Sequence, residues 1–185
     1  MEMVGVPCEV LATNVDEPVS HCAKESAERL AILKNKAACE ILRQEGNLPA
    51  IVITADTLVT IDGEILEKPK NREEAFSMLK TLSGRKHTVH TGVAIAKLFP
   101  DESRFPCRVA FVESADVCFR HLADNEIYSY IDTGEPFDKA GAYGIQEKGA
   151  LLIDMVFGDF YAVVGLPVAR VGQELADMGV NIWQA

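Results

Sequence analysis

The segment ITADTLVTIDGEILEKP, residues 53–69, constrains the fold of this chain more than any other stretch. Its apolar start predicts a buried strand that ends at Asp56, and the halves LVTI and EILE flank the dipeptide Asp62-Gly63. Asp-Gly favours a two-residue hairpin turn because both central positions of that turn need a positive φ angle. The hairpin therefore predicts that Lys68 returns to the sheet edge at which Asp56 emerges.

Helical and extended patterns alternate along the rest of the chain. Apolar residues recur at helical spacing from about Ala23 to Glu45, and a second helix begins at Asn71, which forms a variant capping box with Glu74, and stops at Gly84. The remaining predicted elements are strands at 8–13, 50–55, 87–98, 107–119 and 151–157, and helices at 123–131 and from Pro167 to Met178. Because hairpins and helix crossovers are mixed, we predict an α/β fold with flanking helices and a sheet of both parallel and antiparallel pairs.

Composition limits the classes of function that this chain can have. Its 185 residues, of which 48% are hydrophobic, suit one compact domain. With 28 acidic and 18 basic residues the net charge is −10, which argues against binding a nucleic-acid polymer. No apolar run approaches the ~18 residues of a membrane span, and the start MEMVGVPCEV is unlike a signal peptide. Five scattered cysteines without a CxxC motif fit a reducing, cytoplasmic compartment.

Several common enzyme motifs are absent from the sequence. It contains no GxxxxGK(S/T), GxGxxG or GxSxG, which argues against a P-loop NTPase, a dinucleotide-binding domain and an α/β-hydrolase. His87 and His90 lie three apart in a predicted strand, so they face opposite sides and make a poor metal pair. Asp56 and Lys68 suit phosphate chemistry, because an acid can hold a hard cation or activate water while a lysine neutralises phosphate oxygens. On position alone, each could instead be an ordinary turn acid or a solvated lysine.

A second candidate site is the loop GEPFDKAGAYGIQ at 134–146. Its three glycines let the backbone turn tightly and approach a ligand. Asp138, Lys139 and Gln146 add charge and an amide, and we expect Lys139 to bind substrate. A plain connecting loop is the alternative interpretation.

The segments ADTLV…DGEILEKP, LSGRKHTVHTGVAI, YIDTGEPFDKAGAYGIQ and GDFYAVVGLPV resemble, in this order, the Maf family of nucleoside triphosphate pyrophosphatases. The similarity covers nearly the whole chain. It implies a mixed α/β fold with two lobes around a cleft, and a homodimer. It also implies hydrolysis of a nucleoside triphosphate between its α and β phosphates, with a divalent cation, Mg²⁺ or Mn²⁺, as cofactor.

The resemblance assigns roles residue by residue. Asp56 matches the general base of the family, and Glu17 in the VDE segment matches its partner acid near the metal. Lys36 in the first helix and Lys68 match lysines that contact phosphate. Lys34 is an alternative match to Lys36, because LAILKNKA can be aligned in two ways.

Thr57 and Gln146 match positions that the family uses to distinguish substrates. They resemble the branch that prefers dTTP and UTP rather than the branch that acts on 7-methyl-GTP. A glutamine amide can both donate to and accept from a pyrimidine edge, which is compatible with this assignment. Two alternatives remain: a catalytically silent, nucleotide-binding regulator of cell division, and a pyrophosphatase for the purine nucleotides ITP or XTP.

The start of the chain departs from the family pattern. Family members begin with a strand followed by a Ser- and Arg-rich loop of the form SASPRR, whereas this sequence starts at what resembles the tail of the first helix, MEMVG. Residues 1–185 therefore resemble a single Maf-like domain without that segment. We expect the natural protein to carry an upstream strand, loop and helix, on the order of 20 residues by strand and helix rise, that supplies a phosphate-binding arginine.

Overall fold

A computed structural model describes residues 1, 5–15, 22–101 and 107–183 of the chain. The strands are β1 (Ala50–Ile61), β2 (Glu64–Leu66), β3 (Lys86–Leu98), β4 (Cys107–Phe119) and β5 (Ile153–Phe157). The α-helices are α1 (Ala23–Glu45), α2 (Arg72–Leu82), α3 (Asp124–Ile131), α4 (Phe160–Val164) and α5 (Val168–Asp177). Three short 3₁₀ segments follow α3, at Glu135–Asp138, Ala140–Ala142 and Glu147–Leu152.

The strands form one sheet in the order β2-β1-β3-β4-β5. All pairs among these strands are antiparallel, so the predicted mixture with parallel pairs is not found in this part of the chain. The reason lies in the α2 crossover, which joins β2 to β3. These two strands run in the same direction, but β1 lies between them and is antiparallel to both. The α/β class and the flanking helices are confirmed, while the division into two lobes stays a prediction.

The hairpin between β1 and β2 has the predicted turn. Asp62 and Gly63 have φ angles of 54° and 83°, as a two-residue turn with two positive φ positions requires. The predicted end of the first strand at Asp56 is wrong. Strand β1 continues through Asp56 to Ile61, because β1 pairs with β3 along almost its whole length. Since β2 pairs only with Val59–Ile61, residues 50–58 of β1 form an edge among the described strands.

Helix α1 has the predicted bounds and lies close against the sheet. A side chain at Gly92 of β3 would collide with the carbonyl group of Ala27, so a glycine is needed where the helix crosses the strand. Further along α1, the buried amide of Asn35 donates to one carbonyl of β1 and one of β3, each at 3.1 Å. These contacts fix which face of α1 meets β1.

Most other elements agree with the sequence predictions. The Asn71 side chain accepts a hydrogen bond from the backbone N–H of Glu74 at 2.8 Å, which confirms the predicted cap of α2. Strands β3, β4 and β5 and helices α3 and α5 lie within two residues of their predicted bounds. The strand predicted at 8–13 is wrong: this segment has no regular structure, and Val10 is 95% exposed, so its alternating pattern has no sheet to pack on. Helix α4 was not predicted.

Successive residues of β1 face different cores. Leu58 packs against α1, whereas Val59 belongs to a larger cluster formed with α2 and α3. Because side chains alternate along a strand, Asp56 shares the α1 side with Leu58, and Thr57 shares the opposite side with Val59. Among the helices that the structure describes, none has both the length and the apolar character that crossing a membrane requires.

Candidate active site

A cleft of about 570 Å³ opens at the edge of β1. Residues of α1, β1, α4, the segment 135–147 and the two residues that follow β2 line it. Its volume lies in the range of about 300–1,000 Å³ that is usual for small-molecule sites. The cleft is therefore large enough for a nucleotide, and it lies along residues 55–59 of β1, next to the part of the strand that pairs with β2.

Most of the residues that the sequence singled out line this cleft: Asp56, Thr57, Lys68, Lys139 and Gln146. The predicted proximity of Asp56 and Lys68 is thus found, although Asp56 lies within a strand and not at its end. Lys36 does not line the cleft. Glu17, the second predicted metal ligand, lies outside the described residues.

Lys34 and Asp56 form an ion pair at the cleft. Their Nζ and Oδ1 atoms are 2.6 Å apart, and the side chains are only 21% and 9% exposed. Partial burial strengthens such a pair relative to one on the surface. Lys36 lies two residues further along α1, which turns it by about 200°. Lys36 and Arg108 line a separate cavity of about 170 Å³. Of the two lysines that the resemblance offers, Lys34 is therefore the one that contacts Asp56.

Thr57 belongs to a chain of hydroxyl groups that the sequence did not reveal. Its Oγ1 atom lies 2.8 Å from Oγ1 of Thr91, directly across the β1–β3 pair. The Thr91 hydroxyl in turn donates to the carbonyl oxygen of Ala162 in α4 at 2.7 Å. The alternating pattern of β3 indicates that Thr91 points inwards, but only the strand register identifies its partner.

The glycine-rich loop is held against the sheet by backbone contacts. Gly141 has a φ angle of 69° and donates to the Glu67 carbonyl at 3.1 Å, and a Cβ atom at this position would lie only 3.0 Å from the Val59 side chain. Gly144 donates its N–H to the Tyr130 hydroxyl at 3.2 Å. Burial raises the pKa of Tyr130 to about 12, so this hydroxyl keeps its proton at neutral pH. These anchors bring the predicted loop residues to the cleft.

Three polar side chains of the cleft are more exposed than the Lys34–Asp56 pair. Lys139 donates to the Glu135 carbonyl at 3.1 Å and to Asp138 Oδ1 at 2.6 Å, and this hydrogen bond lowers the pKa of Asp138. Lys68 and Gln146 are both exposed. Within the described part of the chain, no hydrogen bond engages the Gln146 amide, so both its donor and its acceptor can meet a ligand.

The charges of the cleft suit a metal-bound triphosphate. Among the residues that the structure describes, five carboxylates and three lysines line it: Asp56, Glu67, Glu135, Asp138 and Glu147, with Lys34, Lys68 and Lys139. An anionic ligand would therefore meet net negative charge unless a cation accompanied it. Among the described residues no three metal-ligating side chains cluster, and Mg²⁺ commonly uses only one or two carboxylates plus phosphate oxygens and water. Asp56 fits as one such ligand.

A buried histidine supports one wall of the cleft. The Nε2 atom of His87 lies 2.7 Å from the hydroxyl of Tyr143, which lines the cleft. Burial lowers the pKa of His87 to about 4, so the ring is neutral at neutral pH. Among the described residues its Nδ1 atom has no hydrogen-bond partner. This histidine therefore packs in the core rather than binding a metal.

Comparison with known proteins gives a consistent family match. The family model described as Maf-like protein matches residues 1–178. A dTTP/UTP pyrophosphatase of Caldanaerobacter subterraneus subsp. tengcongensis is 47% identical over 174 residues, which are 92% of this chain and 79% of that protein. A dTTP/UTP pyrophosphatase of Bacillus anthracis is 39% identical over 185 residues, 100% of this chain and 92% of that protein. A dTTP/UTP pyrophosphatase of Bacillus cereus is 40% identical over 185 residues, which are 100% of this chain and 92% of that protein.

Proposed function

Because this chain belongs to the Maf family of Maf-like proteins, we propose that it hydrolyses nucleoside triphosphates to the monophosphate and pyrophosphate, with dTTP and UTP as preferred substrates. The observation that carries the proposal is the partly buried Lys34–Asp56 ion pair at a nucleotide-sized cleft. Thr57, Lys68 and Gln146 line the same cleft. Relatives that are called dTTP/UTP pyrophosphatases support the choice of substrate.

Asp56 is the proposed general base. It takes a proton from water as the water oxygen bonds to phosphorus, and the phosphoanhydride bond breaks so that pyrophosphate leaves. A lysine ammonium carries three donors, so Lys34 can hold the Asp56 carboxylate and contact a phosphate oxygen at the same time. We propose Lys34, rather than Lys36, as the phosphate-contacting lysine of α1, because Lys34 lines the cleft.

Further charge neutralisation comes from the other lysines and from a cation. Lys68 and Lys139 line the cleft, and their ammonium groups are proposed to contact phosphate oxygens. Asp56, together with Glu17, would hold the divalent cation, Mg²⁺ or Mn²⁺, which when bound supplies positive charge to the phosphates. The excess of carboxylates over lysines in the lining supports the need for this charge.

Base recognition is assigned to Thr57 and Gln146. The amide of Gln146 can pair with both a carbonyl group and an N–H group of a pyrimidine. Purine nucleotides such as ITP, and 7-methyl-GTP, are the competing substrates. The presence of the Lys34–Asp56 pair at the cleft favours the enzyme over a silent regulatory protein.

The test is pyrophosphate release from a panel of dTTP, UTP, CTP, ITP, XTP and 7-methyl-GTP, with Mg²⁺ or Mn²⁺ present. We expect dTTP and UTP to be hydrolysed fastest, and Asp56→Asn to reduce turnover by roughly 10²–10⁴-fold, the usual scale for a lost base. Asp116→Asn is the matched control, because Asp116 is also a strand carboxylate paired with a lysine, at 2.8 Å, but lies outside the cleft. An Asp56→Asn enzyme as active as this control would contradict the assignment.

The cellular setting is likewise a proposal from family resemblance. We propose a cytoplasmic homodimer that removes unwanted or modified pyrimidine nucleotides. Light scattering during size-exclusion chromatography checks the dimer: the expected mass is twice that of the chain, and a mass equal to that of one chain would contradict it.

A further inference from the structure

The hydroxyl chain from Thr57 to α4 has a defined direction. A carbonyl oxygen can only accept, so Thr91 must donate its single proton to Ala162, at 2.7 Å. That proton is then not available for the 2.8 Å contact between the two threonine hydroxyls. It follows that Thr57 donates to Thr91, and that the Thr57 oxygen offers only lone pairs to any further partner.

The packing around this chain leaves it little freedom to reverse. Thr91 and Ala162 are both fully buried, so no water competes for either group. The β1–β3 register places Thr57 directly opposite Thr91. Helix α4 ends at Val164 and is capped by Gly165, whose φ angle is 115° and where a Cβ atom would lie 3.5 Å from the Thr57 oxygen. The Ala162 carbonyl is therefore held above Thr91 by the short helix that the sequence did not predict.

An oxygen with only lone pairs to offer excludes some ligand groups. Phosphate oxygens at neutral pH also only accept, so Thr57 cannot hydrogen-bond to them. Its partner on a nucleotide must be an N–H or O–H group. The bases of dTTP and UTP share one N–H on their pairing edge, at N3, where cytosine instead has an unprotonated nitrogen that accepts.

We propose that Thr91 is a positioning residue that keeps Thr57 an acceptor and thereby selects pyrimidines with an N3–H group over cytosine. The inference rests on the proposed function, since it takes Thr57 to face position 3 of a pyrimidine base in the cleft, and not the exocyclic N4 amine, which is the N–H donor of cytosine. Neither Thr91 nor Ala162 touches the ligand. Their contribution is to keep the Thr57 hydroxyl proton engaged with Thr91, so that Thr57 cannot donate it to N3 of cytosine.

The test compares two substitutions of Thr91 that differ in the hydroxyl group. Thr91→Ser keeps a hydroxyl that can donate to Ala162, and Thr91→Val has nearly the same shape without one. We expect the ratio of kcat/KM for UTP to that for CTP to stay at the parent value in Thr91→Ser. In Thr91→Val the Thr57 proton is released and can turn to the unprotonated nitrogen of cytosine, so we expect the ratio to fall by about tenfold, the scale of one hydrogen bond.

Three results would overturn the proposal. The first is a UTP to CTP ratio in Thr91→Val that equals that of the parent enzyme. The second is an equal fall in the ratio for Thr91→Ser, since that variant keeps the hydroxyl. The third is a loss of kcat/KM that is the same for both substrates, which would indicate a purely structural role or a contact with the sugar.

Thermal unfolding of each variant shows whether it is folded at the assay temperature. If Thr91→Val is not, Thr57→Val provides the second test, because it removes the acceptor and leaves the Thr91–Ala162 bond in place. The same ratio should then fall, and an unchanged ratio overturns the proposal.

A parent protein that hydrolyses neither UTP nor dTTP contradicts the proposed function itself. In that case calorimetry with the α,β-methylene analogues of UTP and CTP gives the ratio of the two affinities in the parent and in each variant. If neither analogue binds, both the proposed function and the proposed role of Thr91 are overturned.

Discussion

Acidification should destabilise this protein through His87. The ring is 2% exposed and lies edge-on against Phe119 and Tyr143, with ring centroids 5.1 and 5.3 Å away. Burial lowers its pKa from the ordinary 6.5 to about 4, an effect that the charge of Asp116 only partly opposes. Between these two values the unfolded chain binds a proton that the folded chain does not. Stability that is present above the unfolded pKa is therefore lost as the pH falls towards 4.

The size of this loss follows from the interval between the two pKa values. The interval between 6.5 and about 4, at about 1.36 kcal/mol per pH unit, corresponds to roughly 3 kcal/mol of unfolding free energy. This amount is a large fraction of the ~5–15 kcal/mol that holds a typical domain folded. The Tyr143 side of the cleft depends on the same packing, so activity should fail over the same range.

Urea unfolding at several pH values between about 7 and about 4 measures the effect. Carboxylates also titrate over this range, so the comparison that isolates the histidine is between the parent protein and His87→Gln, whose amide does not titrate. We expect the parent to lose roughly 3 kcal/mol more than this variant across the range. His121→Gln, at an exposed position, is the matched control and should follow the parent. If the parent and His87→Gln lose stability in parallel, the burial argument is refuted.

Two further predictions concern the cleft. Lys34→Met removes the lysine that lies 2.6 Å from the Asp56 carboxylate and should reduce kcat for UTP by roughly 10²-fold. Lys36→Met is the control, because it changes a lysine of the same helix outside the cleft, and its kcat should stay within about threefold of the parent. If Lys36→Met instead lowered kcat more than Lys34→Met, Lys36 would be the lysine that contacts phosphate. Gln146→Leu should lower the ratio of kcat/KM values for UTP over ITP by about tenfold, because the polar edge of the pyrimidine is then left unpaired. An unchanged ratio would remove Gln146 from base recognition.

Features that depend on neighbouring residues were predictable from the sequence. The helix bounds from Ala23 to Glu45 follow from apolar spacing and a terminal glycine. The turn at Asp62-Gly63 follows from the backbone freedom of those two residues, and the cap at Asn71 from one side-chain hydrogen bond. In each case the energy that decides the structure acts within about four residues, so a local pattern is enough.

The resemblance to a family added what local patterns could not. It named residues from separate parts of the chain, and four of them, Asp56, Thr57, Lys68 and Gln146, prove to line one cleft. Spacing along the sequence alone could not have placed Gln146 beside Asp56, because ninety residues separate them. The resemblance assigned Lys36 and gave Lys34 as an alternative match, because the helix can be aligned in two ways.

Tertiary contacts decided what neither the pattern nor the resemblance determined. The rotation of α1, fixed by the Asn35 amide between two strands, brings Lys34 and not its neighbour to Asp56. The β1–β3 register sets Thr57 opposite Thr91, and pairing with β3 extends β1 beyond the point at which its apolar run suggested an end. Composition, helix bounds and turns belong to the sequence because short-range sterics and hydrogen bonds specify them. Strand length, register and helix rotation belong to the structure because each is settled by partners that lie tens of residues away.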